Sequence, residues 1–283
     1  MQETVQESDL LIKDGEFARF RDFFYRKTGI YFEDSKRYFV DKRLITRVKI
    51  LNYKTFREYF THLRFETDGK ELEQLINAMT VNETYFYRES YQFDCLVNSA
   101  LSMVGKGKTA NESIKIWSLP SSTGEEAYSI ALYLMENWPG INDYDIELFA
   151  SDIDTSVLEK ARRAVYGKRS VEGIPLTLKK KYFTELSDGR LQADNALRDC
   201  VEFTNVNIMD SQAMRYYRNF DVVFCRNMLI YFDDKSRRLA AEAIYDALAP
   251  GGILFLGHSE SMSRISSLFK VIRFPETIAY QKA

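Results

Sequence analysis

Apolar positions recur at two different periods along this chain, and the change of period divides it. From Glu16 to about Met79 the spacing is helical: Phe17, Phe20 and Phe24 share one face, and Thr28-Gly29 supplies a stop signal. Further helices are predicted over Ser35 to Leu51, Thr55 to Phe65 and Lys70 to Met79, joined by polar turns and with few strand signals among them. Beyond about Glu89 a helix, Tyr91 to Val104, leads through the loop GKGKTANES into short apolar runs that alternate with amphipathic segments. Strands are expected at Ser113–Ser118, Ile146–Ser151, Cys200–Asn205, Phe220–Cys225 and Ile253–Gly257, followed by a hairpin of Phe269–Arg273 and Thr277–Gln281. A helix from Asp234 to Leu248 should precede APGG. Alternation of this kind builds a parallel sheet covered by helices. Between Leu176 and Val201, the run KYFTELSDGRLQADNALRD sets a Ser-Asp-Gly turn between β-prone segments, which predicts a small antiparallel insertion. The expected organisation is a helical domain over 1–79, a linker over 80–90 that contributes to the active site, and an α/β domain over 91–283 with the insertion at 176–201.

Composition narrows the class without changing that outline. With 283 residues and 45% hydrophobic content the chain can bury a core without metals or disulfides. Cys95, Cys200 and Cys225 are odd in number and form no CxxC pair, which points to a reducing compartment and no zinc site. The acidic start MQETVQESD has no signal-peptide pattern, and no apolar run reaches the roughly 20 residues of a membrane helix, so the cytoplasm is the expected location. A net charge of −2 predicts no global attraction to nucleic acid.

The chemistry concentrates between Ile114 and Asp154, where strand, tight turn, helix and second strand follow in the order that nucleotide-binding α/β folds use. Ser121, Ser122, Thr123 and Gly124 are small enough for backbone to pass close to a ligand, and Glu125 and Glu126 open the next helix. Two carboxylates there repel a phosphate and favour a ligand with an ammonium group, such as the methionine part of S-adenosylmethionine; complementing the helix dipole is the plainer alternative. The single glycine also departs from the dinucleotide fingerprint GxGxxG. Asp152 ends the second strand, where it either accepts hydrogen bonds from ribose hydroxyls or caps the next helix. Asp154 and Ser156 are candidates for that cap, with Ser156-Val157-Leu158-Glu159 fitting a capping box. A buried strand, FDVVFC, ends in Arg226-Asn227 and leads to Tyr231, so these groups should face the cleft outside the carboxyl ends of the strands. NETYFYRE, residues 82–89, lies at the domain junction, where aromatic residues serve packing as readily as function.

Taken in order, NETYFYRE, WSLPSSTGEEAYSIA, ASDIDTSVLEKAR, FCRNMLIYF and GGILFLGHSES resemble the CheR family of chemoreceptor glutamate methyltransferases over nearly the whole chain. The resemblance implies a Rossmann-like class I methyltransferase domain, with the helical domain before it, that uses S-adenosylmethionine, releases S-adenosylhomocysteine and esterifies glutamates in receptor signalling helices. It implies cofactor contacts at Asn82, Thr84, Arg88, Glu126, Asp152, Asn207, Ile208, Arg226 and Asn227, with Arg88 and Tyr231 beside the transferred methyl group. It also gives a use to the basic helix bearing Lys36, Arg37, Lys42, Arg43, Arg47 and Lys49, as a surface for an acidic helical partner; an ordinary solvated helix is the alternative. Two features depart from the family pattern. Leu119-Pro120 replaces small residues beside the cofactor turn, and the insertion holds only Gly189 where some members have a glycine-rich, peptide-gripping loop. Docking without a receptor pentapeptide tether is therefore expected, and nothing in the sequence demands more than a monomer.

Methyl transfer to a carboxylate needs no general base, because free glutamate titrates near about 4.3. This suits a chain with two histidines, His62 and His258. The rival readings are a nucleic-acid methyltransferase, which RNMLIYF disfavours by lacking a proline-containing turn, a nicotinamide dehydrogenase, and a non-catalytic cofactor-binding scaffold or sensor in a signalling array.

Overall fold

The structure, a computed structural model, describes residues 11–106, 108 and 112–283; the acidic start and part of the GKGKTANES loop lie outside them. The chain divides into a helical unit, Met1–Val81 with Tyr231–Asp233, and an α/β unit, Asn82–Ile230 with Asp234–Ala283.

In the helical unit, α1 (Asp14–Thr28) buries Phe17, Phe20 and Phe24 and ends at Gly29, whose φ of 74° no side-chain-bearing residue adopts as cheaply. It starts before Glu16 because the Lys13 N–H donates to the Glu16 carboxylate (3.0 Å), satisfying a donor the helix itself leaves unpaired. Helix α2 (Arg37–Ile50) turns Val40, Leu44 and Val48 inward, and Ser35 and Lys36, expected to begin it, belong to a 3₁₀ turn, Asp34–Lys36. Thr55 stands outside α3 (Phe56–Phe65) as its N-cap, accepting from the Glu58 N–H. Helix α4 (Lys70–Met79) opens on the Glu66 carboxylate, which accepts from Glu71 and Leu72 N–H. The Glu71 side chain is 5% exposed and is neutralised by Arg47 (Nε to Oε1 2.9 Å), while the Tyr59 hydroxyl donates to the same acid at 2.8 Å. Burial and that carboxylate together push the Tyr59 hydroxyl pKa upward. Residues 231–233 belong here through an Ile30–Phe232 bridge and a Tyr31 N–H bond to the Tyr231 carbonyl (3.1 Å).

The α/β unit is built on a seven-stranded sheet. Its strands are β1 (Ile114–Ser118), β2 (Ile146–Asp152), β6 (Val201–Asn205), β7 (Phe220–Cys225), β8 (Leu248–Leu256), β9 (Phe269–Arg273) and β10 (Ile278–Lys282), in spatial order β6-β2-β1-β7-β8-β10-β9. The first five run parallel, and the hairpin β9–β10 closes one edge antiparallel. Strand β8 starts earlier than Ile253 because Leu248 still pairs with Phe220; a register shift between Phe220 and Val222 absorbs the APGG residues. Every residue of β7 is buried, as expected of a strand covered on both faces. Helix α7 (Glu125–Asn137) crosses from β1 to β2, and α8 (Thr155–Arg163) follows β2. Asp154 alone caps α8, accepting from Ser156 and Val157 N–H, so the expected Ser156–Glu159 box is not the device used. The segment expected as one helix over Tyr91–Val104 is α5 (Tyr91–Cys95) and α6 (Leu101–Gly105) around a π-helical turn, Leu96–Ala100. The small antiparallel sheet is present, with β3 (Val165–Tyr166), β5 (Leu191–Ala193) and β4 (Phe183–Glu185) as neighbours in that order. Residues 176–201 supply β4 and β5, while β3, only two residues long, comes from earlier in the chain.

Strand order reverses between β1 and β7, since the chain builds outward in one direction from β1 and later returns to its other side. The carboxyl ends of β1, β2, β7 and β8 therefore surround the position where open α/β sheets hold their ligands.

Candidate functional site

The turn after β1 is built to bring backbone close to whatever lies above the sheet. Gly124 takes a φ of +93°, and a Cβ there would stand 3.0 Å from the Ala161 Cβ and 3.2 Å from the Phe203 and Tyr128 rings. Ser122, also at positive φ, donates its N–H to the Asp152 carboxylate at 2.8 Å. The hydroxyls of Ser121 and Ser122 are buried without a hydrogen-bond partner. Buried hydroxyls in this condition are a place where a polar ligand finds donors and acceptors already exposed to it. Leu119 is buried in the core and donates its N–H to the Phe224 carbonyl, so its bulk is accommodated below the turn.

The neighbouring acids Glu125 and Glu126 have separate tasks. Glu125 is buried on hydrogen bonds from the Thr123 hydroxyl (2.6 Å) and the Ser170 hydroxyl (2.7 Å), anchoring the turn to the segment between β3 and β4. Glu126 accepts from the Ser118 hydroxyl at 2.8 Å and pairs with Arg226 at 3.1 Å. Burial raises its pKa, while Arg226, Ser118 and the more distant Arg88 act in the opposite direction.

Arg226 is the hub of the cleft. Its side chain is 1% exposed and lies between Glu126 and Glu89 (3.3 Å), donates to the Arg88 carbonyl (2.6 Å), and rests over the Phe93 ring at 5.4 Å. Arg88 is flanked by two residues at positive φ, Tyr87 (63°) and Glu89 (56°), a strained stretch held in place by those contacts. The Arg88 guanidinium donates to the Glu83 carbonyl, Asn82 donates to the Asp154 carboxylate at 2.9 Å, and Thr84 is half-buried in the same segment. Glu89 also accepts from the His258 N–H; the His258 side chain itself is exposed.

Asp152 closes β2 with its carboxylate almost fully buried, accepting from Ser122 and Asp154 N–H. Burial pushes its pKa up to about 6, although both N–H groups favour the ionised form. Each oxygen still has a lone pair for a further donor. The Val206 N–H and the Asn205 side chain bond the Asp152 carbonyl, which fixes the turn carrying Asn207 and the buried Ile208 beside the end of β2. Asn227 follows Arg226 at a φ of 58° and donates its N–H to Glu260.

Of the residues expected to act together, Asn82, Thr84, Arg88, Glu126, Asp152, Asn207, Ile208, Arg226 and Asn227 all lie in the α/β unit, and Tyr231 and the basic helix α2 lie in the helical one. Tyr231 ends a 3₁₀ turn and is 38% exposed. Within α2, Arg37 pairs with Asp14 and Asp41, Arg43 stacks on Phe39 and bonds the Ala78 carbonyl, and Arg47 holds Glu71; Lys42 and Lys49, and Lys36 just before the helix, are exposed. Sequence reasoning passed over Ser118, Glu89 and Glu260. The last two stand in NETYFYRE and GHSES, but a pairing such as Glu89–Arg226, far apart in the chain, leaves no spacing signal.

Residues 82–278 match the family described as CheR methyltransferase, SAM binding domain, and residues 15–80 match the CheR methyltransferase all-alpha domain. A chemotaxis protein methyltransferase 2 of Vibrio cholerae is 51% identical over 275 residues, covering 97% of this chain and 95% of that protein. A chemotaxis protein methyltransferase 2 of Pseudomonas aeruginosa is 37% identical over 260 residues, with 91% and 90% covered. A chemotaxis protein methyltransferase of Salmonella typhimurium is 34% identical over 265 residues, with 93% and 89% covered.

The Arg226 triad makes a stability prediction. Arg226→Met leaves two carboxylates facing each other out of water, and breaking a buried pair in this way costs about 3–5 kcal/mol. Urea unfolding should show that loss; a loss under about 1 kcal/mol would mean that the acids are solvated and that Arg226 does not hold them.

Proposed function

The chain belongs to the CheR methyltransferase family, and from that premise we propose that it transfers the methyl group of S-adenosylmethionine to glutamate side chains in the cytoplasmic helices of chemoreceptors. The observation that carries this reading is the charge pattern around the turn after β1. Glu126 faces the cleft on Ser118 and Arg226, and Asp152 stands buried at the next strand end, so the cleft offers carboxylates where a dinucleotide site would offer a helix N-terminus to phosphate.

These residues fit the cofactor. Glu126 would hold the ammonium of the methionine part, Asp152 the ribose hydroxyls, and Asn207 and Ile208 the adenine, with Asn82, Thr84, Arg88, Arg226 and Asn227 completing the contacts. The unpartnered hydroxyls of Ser121 and Ser122 support a polar ligand at the turn. When bound, S-adenosylmethionine supplies an electrophilic methyl group on a sulfonium. A glutamate carboxylate, already ionised near neutral pH, would accept that group without a general base, so the residues of the chain have only to bind and orient. Among the described residues no cluster suited to a metal ion is found. Arg88 and Tyr231 would hold the carboxylate in line with the methyl, so the rate gain is one of alignment.

For docking to the receptor, Lys36, just ahead of α2, and Lys42 and Lys49 within it are the most exposed basic groups offered to an acidic helix; Arg37, Arg43 and Arg47 are only partly exposed and bond within the unit, so they contribute mainly by shaping the face. The cytoplasm is the location this partner requires, and among the described residues no helix is long and apolar enough to cross a membrane.

The direct test is incubation with radiolabelled S-adenosylmethionine and receptor-bearing membranes, followed by alkali. The expected outcome is label in the receptor released as methanol, with the KM for receptor raised when Lys36, Lys42 and Lys49 are changed together to Glu. Cofactor binding without any methyl incorporation would favour the non-catalytic scaffold or sensor instead.

Asp152 gives a pH signature. Its pKa in the free protein is raised to about 6, and only the ionised form accepts from two ribose hydroxyls, so protonation opposes binding. Affinity for S-adenosylhomocysteine should be level above that pH and fall by up to about tenfold per unit below it. Asp152→Asn should bind weakly and lose this dependence; calorimetric titrations that show the same slope in the variant would assign the titration to another group.

A further inference from the structure

We infer that Glu260 is a positioning residue for the methyl-transfer step, acting on the turn that carries Tyr231; the inference rests on the methyltransferase reading given above. Three observations in the α/β unit support it. One carboxylate oxygen accepts from the Asn227 N–H (2.7 Å) and the Gly257 N–H (2.9 Å), and the other accepts from the Leu229 N–H (2.8 Å). The Ile230 N–H also bonds this carboxylate. Few side chains collect that many backbone donors, and here the donors all lie in the segments that directly follow β7 and β8.

The donors stand in a turn that would not keep its shape unaided. Asn227 is held at a φ of 58°, a conformation that costs free energy for a residue with a side chain. Leu229–Tyr231 is a single 3₁₀ turn, too short to stabilise itself, and its Leu229 carbonyl is fixed separately by Arg237 Nε at 2.9 Å. Gly257 completes the fit. A Cβ at that position would lie 2.6 Å from the Asn227 side-chain nitrogen and 2.9 Å from the Glu260 carboxylate, so the carboxylate reaches the turn only because residue 257 has no side chain.

A carboxylate is the one side chain suited to this task, since it offers two oxygens that only accept. The amide of Gln keeps one accepting oxygen and sets an NH₂ group against N–H donors on the other side. The turn then loses part of its support while volume and shape are retained. Tyr231 is the residue immediately after Ile230, so its backbone position is set by a turn whose N–H groups converge on Glu260. Misplacing a reacting group by about 1 Å costs on the order of a hundredfold in rate.

The experiment compares wild type, Glu260→Gln, Tyr231→Phe and the double variant in receptor methylation, with S-adenosylhomocysteine titrated calorimetrically and thermal unfolding recorded for each. The wild type must methylate receptor; if it does not, the underlying reading fails and the inference with it. Given an active wild type, Glu260→Gln should lower kcat by about 10–100-fold while the KM for receptor stays within about twofold. The double variant should be no slower than the slower single variant, because both changes remove the same placed group. A Glu260→Gln protein with kcat within twofold of wild type overturns the inference. So does a double variant whose losses multiply, or a Glu260→Gln protein with no cooperative unfolding transition, which would make Glu260 a residue of the folded core alone.

Discussion

Burying one guanidinium dictates much of the architecture around the cleft. Arg226 directly follows β7, a strand that is buried along its whole length, and its charge is tolerable there only with anionic partners brought to it. Those partners come from different segments: Glu126 from the first turn of α7, and Glu89 from the stretch before α5. Neutralising Arg226 therefore ties residues 82–89 to the strand ends, with the Arg88 carbonyl taken up in the same contact. The positive φ values of Tyr87 and Glu89 are the local cost of that arrangement. The triad holds two carboxylates to one guanidinium, and that surplus of negative charge suits a cleft whose ligand carries an ammonium and a sulfonium.

A second consequence is a division of labour among neighbours. Glu125 and Glu126 are adjacent in sequence, but successive helix residues point about 100° apart, so one locks the turn to Ser170 while the other faces the cleft. Asp152 and Asp154 split in the same manner, the first bound to the Ser122 N–H and the second capping α8 while receiving Asn82. Polar residues that look redundant in the sequence thus hold different pieces of the site.

The sheet strands were legible because their apolar runs are long and bounded by turn residues, and the helical unit because Phe17, Phe20 and Phe24 recur at helical spacing. The family was legible from five motifs in order. Less legible were features decided by contacts distant in the chain. The two-residue strand Val165–Tyr166 has too little pattern to register and exists because Leu191 and Gln192 pair with it. Charge counting along α2 showed a basic helix but could not show that Arg47 faces Glu71 and is spent inside the unit. Glu260 gave no signal at all, since its work is to accept backbone N–H groups, which every residue except proline carries.

The central claim is that this cleft selects its ligand by an ammonium held on Glu126, in a carboxylate frame set by Arg226. Calorimetric titration with S-adenosylhomocysteine and with an analogue lacking only the α-amino group, on wild type and on Glu126→Gln, tests it most directly. The account predicts that the wild type binds the deaminated analogue at least about tenfold more weakly, and that Glu126→Gln largely erases the difference, as loss of a charge-assisted hydrogen bond requires. Equal affinity of the wild type for the two ligands would contradict it.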